Sequence, residues 1–72
     1  MQVNERLKEL REDADITQST IAAYLGIDQS HYSKYERGFH TIPIEQLKKI
    51  CEYYGVSADY ILGLPKGLKW PR

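Results

Sequence analysis

The sequence has little of what stabilises many small extracellular domains, since its 72 residues contain a single cysteine, Cys51. One thiol cannot form a disulfide within the chain, and no set of Cys and His at metal-ligand spacing accompanies it. A basic and apolar leader and an apolar run as long as a membrane span are also missing. These absences predict a cytoplasmic protein without a structural metal, in which Cys51 is an inert core thiol.

Motifs of catalysis are lacking as well. The sequence shows no paired carboxylates in an evident pocket, no nucleophile elbow and no glycine-rich loop of the kind that cradles phosphates. We therefore predict that the chain is not an enzyme, that it needs no cofactor and that it has no small-molecule substrate.

Net charge is also absent, because ten Lys and Arg balance ten Asp and Glu. Proteins that bind duplex DNA usually carry an excess of basic residues. A net charge of zero therefore counts against DNA binding unless the charges are unevenly distributed along the chain. Residues 1–28 carry six acidic and three basic residues, whereas Lys66, Lys69 and Arg72 follow Pro65 with no acidic residue. The distribution is compatible with one basic face. It predicts a domain over residues 1–65 and a flexible basic tail over residues 66–72.

What the sequence does contain is a succession of short amphipathic segments separated by turn signals. Apolar residues recur at spacings of three and four, and nothing indicates a pair of strands, so the predicted fold is all-α. Polar residues suited to N-caps precede the apolar segments, and glycines follow them. The pattern predicts five helices: Asn4 to Asp13, Thr17 to Gly26, Asp28 to Gly38, Pro43 to Gly55 and Ser57 to Gly63.

The most informative segment is TQSTIAAYLGIDQSHYSKYERG, residues 17–38. Two short helices are joined there through Gly26, with too few residues between them to run antiparallel, so they must cross steeply. Four apolar or aromatic side chains should hold the inner faces: Ile21, Leu25, Tyr32 and Tyr35. The helical period then turns a polar face of the third helix outward. That face consists of Gln29, Ser30, Ser33 and Lys34.

Residues 5–63 resemble the Xre family, the helix-turn-helix domain of phage Cro and repressor proteins. The resemblance rests on ITQSTIAAYLGI, on KYERG, on the proline in TIPIEQLKKICEYYGV and on SADYILGL. It implies a compact five-helix, repressor-like fold in which the second and third helices form the helix-turn-helix. It also implies a sequence-specific transcriptional regulator, most simply a repressor, whose third helix reads the major groove of double-stranded DNA.

Carried over position by position, the resemblance assigns base reading to Gln29, Ser30 and Lys34. Glutamine can pair with adenine through two hydrogen bonds, and lysine can reach the acceptors of guanine. Contacts to phosphate, or a positioning role on the DNA, are implied for Gln18, His31, Tyr32, Ser33, Arg37, Phe39, His40 and Thr41. The resemblance further implies a buried structural ion pair between Arg11 and Glu36 that holds the third helix on the scaffold.

Two further readings stay open. Tyr24, Tyr53, Tyr54 and Tyr60, together with Trp70, could form a partner surface near the fourth and fifth helices, and we expect a homodimer through these helices and the C-terminal segment. The same fold could instead act as a protein-interaction module, such as an antitoxin or anti-repressor, which the zero net charge and the many tyrosines motivate. Without the resemblance, the outward polar face would be an ordinary solvated helix surface.

Overall fold

The computed structural model describes residues 2–65, which contain five α-helices and no strand. The helices are α1 (Val3–Asp13), α2 (Gln18–Leu25), α3 (Gln29–Glu36), α4 (Ile44–Tyr54) and α5 (Ala58–Leu62). The predicted all-α, five-helix fold is confirmed. No helix in this part of the chain is long and apolar enough to cross a membrane. The predicted basic tail, residues 66–72, lies outside the described residues.

Two helix starts differ from the sequence prediction. α1 begins at Val3 because Gln2 is its N-cap, and the Gln2 backbone N–H donates to Glu5 Oε1 at 2.8 Å. Asn4 is therefore not a cap. Its side-chain amide instead donates to the backbone carbonyl of Glu36 at 3.4 Å, which ties the start of α1 to the end of α3. Pro43 precedes the first turn of α4 as its N-cap, with φ −67°.

The core lies where the inner faces of all five helices meet. α1 packs against α3 and α5, and α4 packs against α2 and α5. The buried apolar and aromatic side chains of the core are Leu7, Ile21, Ala22, Leu25, Tyr32, Tyr35, Ile42, Ile50 and Ile61. Cys51, predicted in the core, is only half-buried at its edge, and burial raises the pKa of its thiol. Since α3 buries Tyr32 and Tyr35, its opposite face is left to solvent.

Candidate nucleic-acid interface

The corner between α2 and α3 is three residues long, Gly26, Ile27 and Asp28. Gly26 ends α2 with φ 75°, a left-handed conformation that glycine adopts without steric cost. The backbone N–H of Ile27 donates to the Ala22 carbonyl at 3.0 Å, and the backbone N–H of Tyr32 donates to the backbone carbonyl of Asp28 at 3.0 Å. The chain thus leaves one helix and enters the next within a hydrogen-bonded turn, which fixes the direction of α3 on α2.

The exposed face of α3 carries the residues for which base reading was predicted. Gln29, Ser30 and Lys34 are all exposed, whereas Ser33 is half-buried. On the opposite side of the same helix, Tyr32 is 0 % exposed. The face therefore presents amide, hydroxyl and ammonium groups from a helix whose other side is locked in the core.

A line of side chains connects this face to the scaffold. Arg11 Nε donates to Glu36 Oε2 at 2.7 Å, and Arg11 Nη2 donates to Glu36 Oε1 at 3.2 Å. Gln18 Nε2 also donates to Glu36 Oε1, at 3.1 Å, and Gln29 Nε2 donates to Gln18 Oε1 at 2.7 Å. Arg11, Glu36, Gln18 and Gln29 thus form one continuous network, which we call the Glu36 network. It links α1, the start of α2 and the exposed face of α3.

The carboxylate at the centre of the Glu36 network is buried and charged. Its side chain is 3 % exposed, and that of Arg11 is 15 % exposed. Burial alone would raise the pKa of Glu36, but the hydrogen bonds from Arg11 and Gln18, together with the nearby Tyr32 hydroxyl, outweigh it. The pKa of Glu36 is therefore lowered, which means that folding favours its ionised form.

A pH dependence of stability follows from that direction. A lowered pKa adds stability that is present above the ordinary pKa of glutamate, about 4.3, and that is lost as the pH falls through the folded value. We expect Glu36→Gln to be less stable than the parent at neutral pH, and the difference to shrink on acidification. Denaturant unfolding of both chains from about pH 7 to about pH 3.5 measures this.

Glu45→Gln is the control for the acid experiment, because Glu45 is exposed in the first turn of α4. This variant should depart from the parent by much less than Glu36→Gln, by about 0.3–1 kcal/mol, because an exposed carboxylate in the first turn interacts only with the helix dipole. A difference between Glu36→Gln and the parent that stays constant down to the lowest pH would contradict a stabilising, ionised Glu36.

The loop after α3 carries four further predicted contact residues. Arg37, Phe39, His40 and Thr41 are all exposed, and the guanidinium carbon of Arg37 lies 4.7 Å from the centre of the Phe39 ring. The backbone N–H groups of Phe39 and His40 both donate to the Lys34 carbonyl, at 2.9 and 3.3 Å. Because those two amides already donate within the protein, a hydrogen bond from either residue to phosphate must come from the side chain.

His31 has a partner that the sequence analysis did not identify. Its Nε2 lies 3.0 Å from the hydroxyl oxygen of Tyr35, a residue predicted only as core. The two positions are four apart on α3, and that spacing, which places side chains side by side, could have revealed the pair. The Tyr35 ring is buried while its hydroxyl reaches the His31 imidazole, so His31 is held at the edge of the exposed face.

The prediction of Tyr32 as a contact to DNA is wrong. The side chain is 0 % exposed, and its hydroxyl lies inside the protein near the Glu36 carboxylate rather than at the surface. Burial, followed by the neighbouring Glu36, raises the pKa of Tyr32 well above its ordinary value. Tyr32 is therefore a core residue that supports α3 from beneath.

With this geometry in place, comparison with known proteins identifies the family. A family model described as helix-turn-helix matches residues 7–61, which include all of α2 to α4 and most of α1 and α5. The chain belongs to the Xre-type helix-turn-helix family.

Curated relatives of this helix-turn-helix chain include regulators and an antitoxin. It is 40 % identical over 63 residues to "HTH-type transcriptional regulator ImmR" of Bacillus subtilis, covering 88 % of this chain and 50 % of the relative. It is 33 % identical over 66 residues to "Antitoxin PezA" of Streptococcus pneumoniae, covering 92 % and 42 %. The chain thus spans about half the length of the curated relatives it matches.

A solved helix-turn-helix structure has the same fold. The P22 c2 repressor, crystallised with a synthetic operator, matches with a TM-score of 0.79 at 24 % sequence identity. The match covers 86 % of this chain and 94 % of the repressor chain. At that identity the likeness shows the fold, and the residues that act in this helix-turn-helix chain must be argued from its own side chains.

Proposed function

We propose that this chain is a sequence-specific, double-stranded DNA-binding transcriptional regulator that acts as a repressor by occupying an operator. The observation that carries the proposal is the exposed polar face of α3, whose first residue, Gln29, is held by the Glu36 network. Membership of the helix-turn-helix family and relatives named as transcriptional regulators support it. The proposed role requires no catalysis and no cofactor, and it places the protein in the cytoplasm.

In the proposed complex α3 enters the major groove and Gln29 reads adenine. Its Nε2 donates one hydrogen to Gln18, which leaves its second N–H and its Oε1 free. A free donor and a free acceptor on one amide are what pairing with adenine N7 and N6 requires. Lys34 would reach guanine acceptors, and the Ser30 hydroxyl would accept or donate to either base type.

The remaining predicted residues would set the position of the domain on the DNA backbone. Contacts to phosphate fix register without reading sequence. Tyr32 is buried and is left out of this set. The proposed positioning residues are Gln18, His31, Ser33, Arg37, Phe39, His40 and Thr41. Except for Gln18 and Ser33, which are half-buried, their side chains are exposed.

Selection from a pool of randomised duplex DNA at moderate salt tests the proposed function. We expect enrichment of a defined sequence, and, for a dimer, of two half-sites separated by about 34 Å or a multiple of it. Binding that ignores sequence through several rounds of selection would contradict the proposal.

We further propose that the regulator is a homodimer formed through α4 and α5. An apolar groove runs between these helices, lined by Ile44, Leu47, Lys48, Cys51, Ala58 and Leu62. Ile44 is 71 % exposed and Leu62 is 42 % exposed, although both are apolar. Lys48 and Glu52 border the groove with opposite charges one helical turn apart, so a second copy related by a two-fold axis can pair each lysine with the partner's glutamate.

The predicted tyrosine surface is not one patch. The rings of Tyr24 and Tyr53 lie 4.8 Å apart between α2 and α4. Tyr60 instead lies under Arg6, whose guanidinium carbon is 4.1 Å from the ring centre, and donates to Glu9 Oε1 at 3.2 Å. The apolar groove is therefore the better candidate interface. Trp70 and the C-terminal segment, included in the predicted interface, lie outside the described residues.

Ile44→Glu should convert the dimer to a monomer without unfolding it, because Ile44 is largely exposed in the single chain and a buried, unpaired carboxylate is costly in an apolar interface. Analytical ultracentrifugation of parent and variant measures the mass. Tyr24→Glu is the control, because Tyr24 packs against Tyr53 and does not line the apolar groove. This variant should remain dimeric. A parent that sediments as a monomer up to high concentration, or an Ile44→Glu variant that stays dimeric, would contradict the proposed interface.

The second candidate function is a protein-interaction module of the antitoxin type. The relative named Antitoxin PezA favours it, as does the exposed apolar groove. A Gln29→Ala, Lys34→Ala double variant separates the two candidates. If it loses DNA binding and every cellular phenotype of the parent persists, the protein-interaction role is favoured.

A further inference from the structure

A shallow depression lies beside the exposed face of α3, next to the loop that follows this helix. It is lined by polar and charged side chains: Asp28, Ser30, His31, Lys34 and His40. The ring centres of His31 and His40 are 6.4 Å apart, and both side chains are exposed. Two imidazoles and one ammonium group thus surround a single opening at the edge of the proposed DNA-reading surface.

We propose that this depression binds one phosphate of the DNA backbone between His31 and His40, so that DNA affinity rises as the pH falls from 8 to 6. The inference rests on the proposed function and adds to it a control of affinity by protons. Both rings are close enough to reach oxygens of the same phosphate, which accepts several hydrogen bonds at once. Histidine is the side chain whose charge ordinarily changes in this pH range.

The surroundings place the proton linkage on the two histidines. The other charged or titratable groups near them on α3 and its loop are Asp28, Lys34, Tyr35 and Arg37. Carboxylate, ammonium, phenol and guanidinium groups do not ordinarily change charge between about pH 6 and about pH 8. On the α1 side, His40 lines a cleft with Gln2 and Asn4, which do not titrate.

The tyrosine hydroxyl beside His31 permits a cationic imidazole. A hydroxyl can accept a hydrogen bond from a protonated ring nitrogen, so the 3.0 Å contact between His31 and Tyr35 survives protonation. The other ring nitrogen of His31 remains available to phosphate. Among residues 2–65, Asp28 is the one acidic residue that lines the depression, and its charge is outnumbered once both imidazoles are protonated.

Each imidazole that becomes charged against phosphate displaces a condensed counterion from the DNA. The slope of log K against log salt should therefore steepen by about 0.9 for each histidine that gains a proton in the complex. This provides a second readout, which a purely structural role of the histidines would not move.

The test measures the affinity of the chain for a short duplex of random sequence by fluorescence anisotropy, at about pH 8 and about pH 6 and constant ionic strength. We expect the parent to bind about tenfold more tightly at the lower pH, with a steeper salt slope. The His31→Gln, His40→Gln double variant should lose both effects. Lys34→Gln is the companion variant: it should bind more weakly at both pH values, because it lacks one cation of the depression, and still gain affinity on acidification.

Parent affinity that is equal at the two pH values would overturn the inference and leave the proposed function intact. A pH effect that persists in the double-histidine variant would also overturn it, because the linked protons would then bind elsewhere. Absence of DNA binding at either pH, for any duplex, would refute the proposed function itself. Unchanged circular dichroism of the variants confirms that the comparison is made on folded chains.

Discussion

Replacing Arg11 with methionine is expected to lower the free energy of unfolding by about 3–5 kcal/mol, because it leaves the buried Glu36 carboxylate without its cation. A domain of this size has only a small net stability, so a loss of this order removes much of it. The lost interaction joins α1 to the end of α3. Gln18 donates to the same Glu36 carboxylate, so its hydrogen bond is affected as well. Urea unfolding monitored by circular dichroism measures the change.

Two companion variants make this result specific. Arg6→Met removes the other ion pair seen in residues 2–65, which Arg6 forms with Glu9. This pair is more exposed than the Arg11–Glu36 pair, so the variant should lose much less free energy of unfolding. The Arg11→Met, Glu36→Leu double variant removes both charges and should recover part of the stability that Arg11→Met loses. An Arg11→Met variant that unfolds within error of the parent would refute the structural role of the pair.

Removing the side chains of Gln29 and Lys34 together is expected to abolish recognition of the selected DNA site. Each base contact of this kind contributes about 1–3 kcal/mol of discrimination, so the double alanine variant should lose roughly 2–6 kcal/mol of specific binding. Both side chains are exposed, so thermal stability should change little. Competition between the selected site and random duplex measures the loss of specificity.

Lys49→Ala is the matched control for charge, because it removes one exposed lysine from α4, away from the reading face. It should leave the specificity ratio unchanged. If the double variant on α3 keeps the parent's preference for the selected site, those two side chains do not read bases.

The sequence was sufficient to predict the fold because the signals that determine it are local. Gly26, Gly55 and Gly63 follow α2, α4 and α5 with positive φ angles, as the positions of these glycines predicted. Thr17 and Ser57 cap α2 and α5 through their side chains, as expected. Apolar spacing and turn residues are short-range features, and they are therefore legible without coordinates.

Features that depend on several helices at once were harder to predict. Asn4 has the chemistry of an N-cap, yet Gln2 takes that position and Asn4 binds the end of α3, 32 residues away. Tyr32 was predicted both for the inner face and, from the resemblance, for a contact to DNA, and the core encloses it completely. The link from Glu36 through Gln18 to Gln29 requires α2 and α3 in their final arrangement, and no spacing in the sequence encodes it.

An NMR titration of the isotope-labelled chain with the duplex recovered by selection tests base reading by α3 most directly. We predict that the largest chemical-shift changes fall on Gln29, Ser30 and Lys34 and on the loop over residues 37–41. Residues of the α4 and α5 groove should shift little once the dimer has formed. Changes concentrated on that groove, with the exposed face of α3 unaffected by DNA, would contradict the claim that α3 reads the bases.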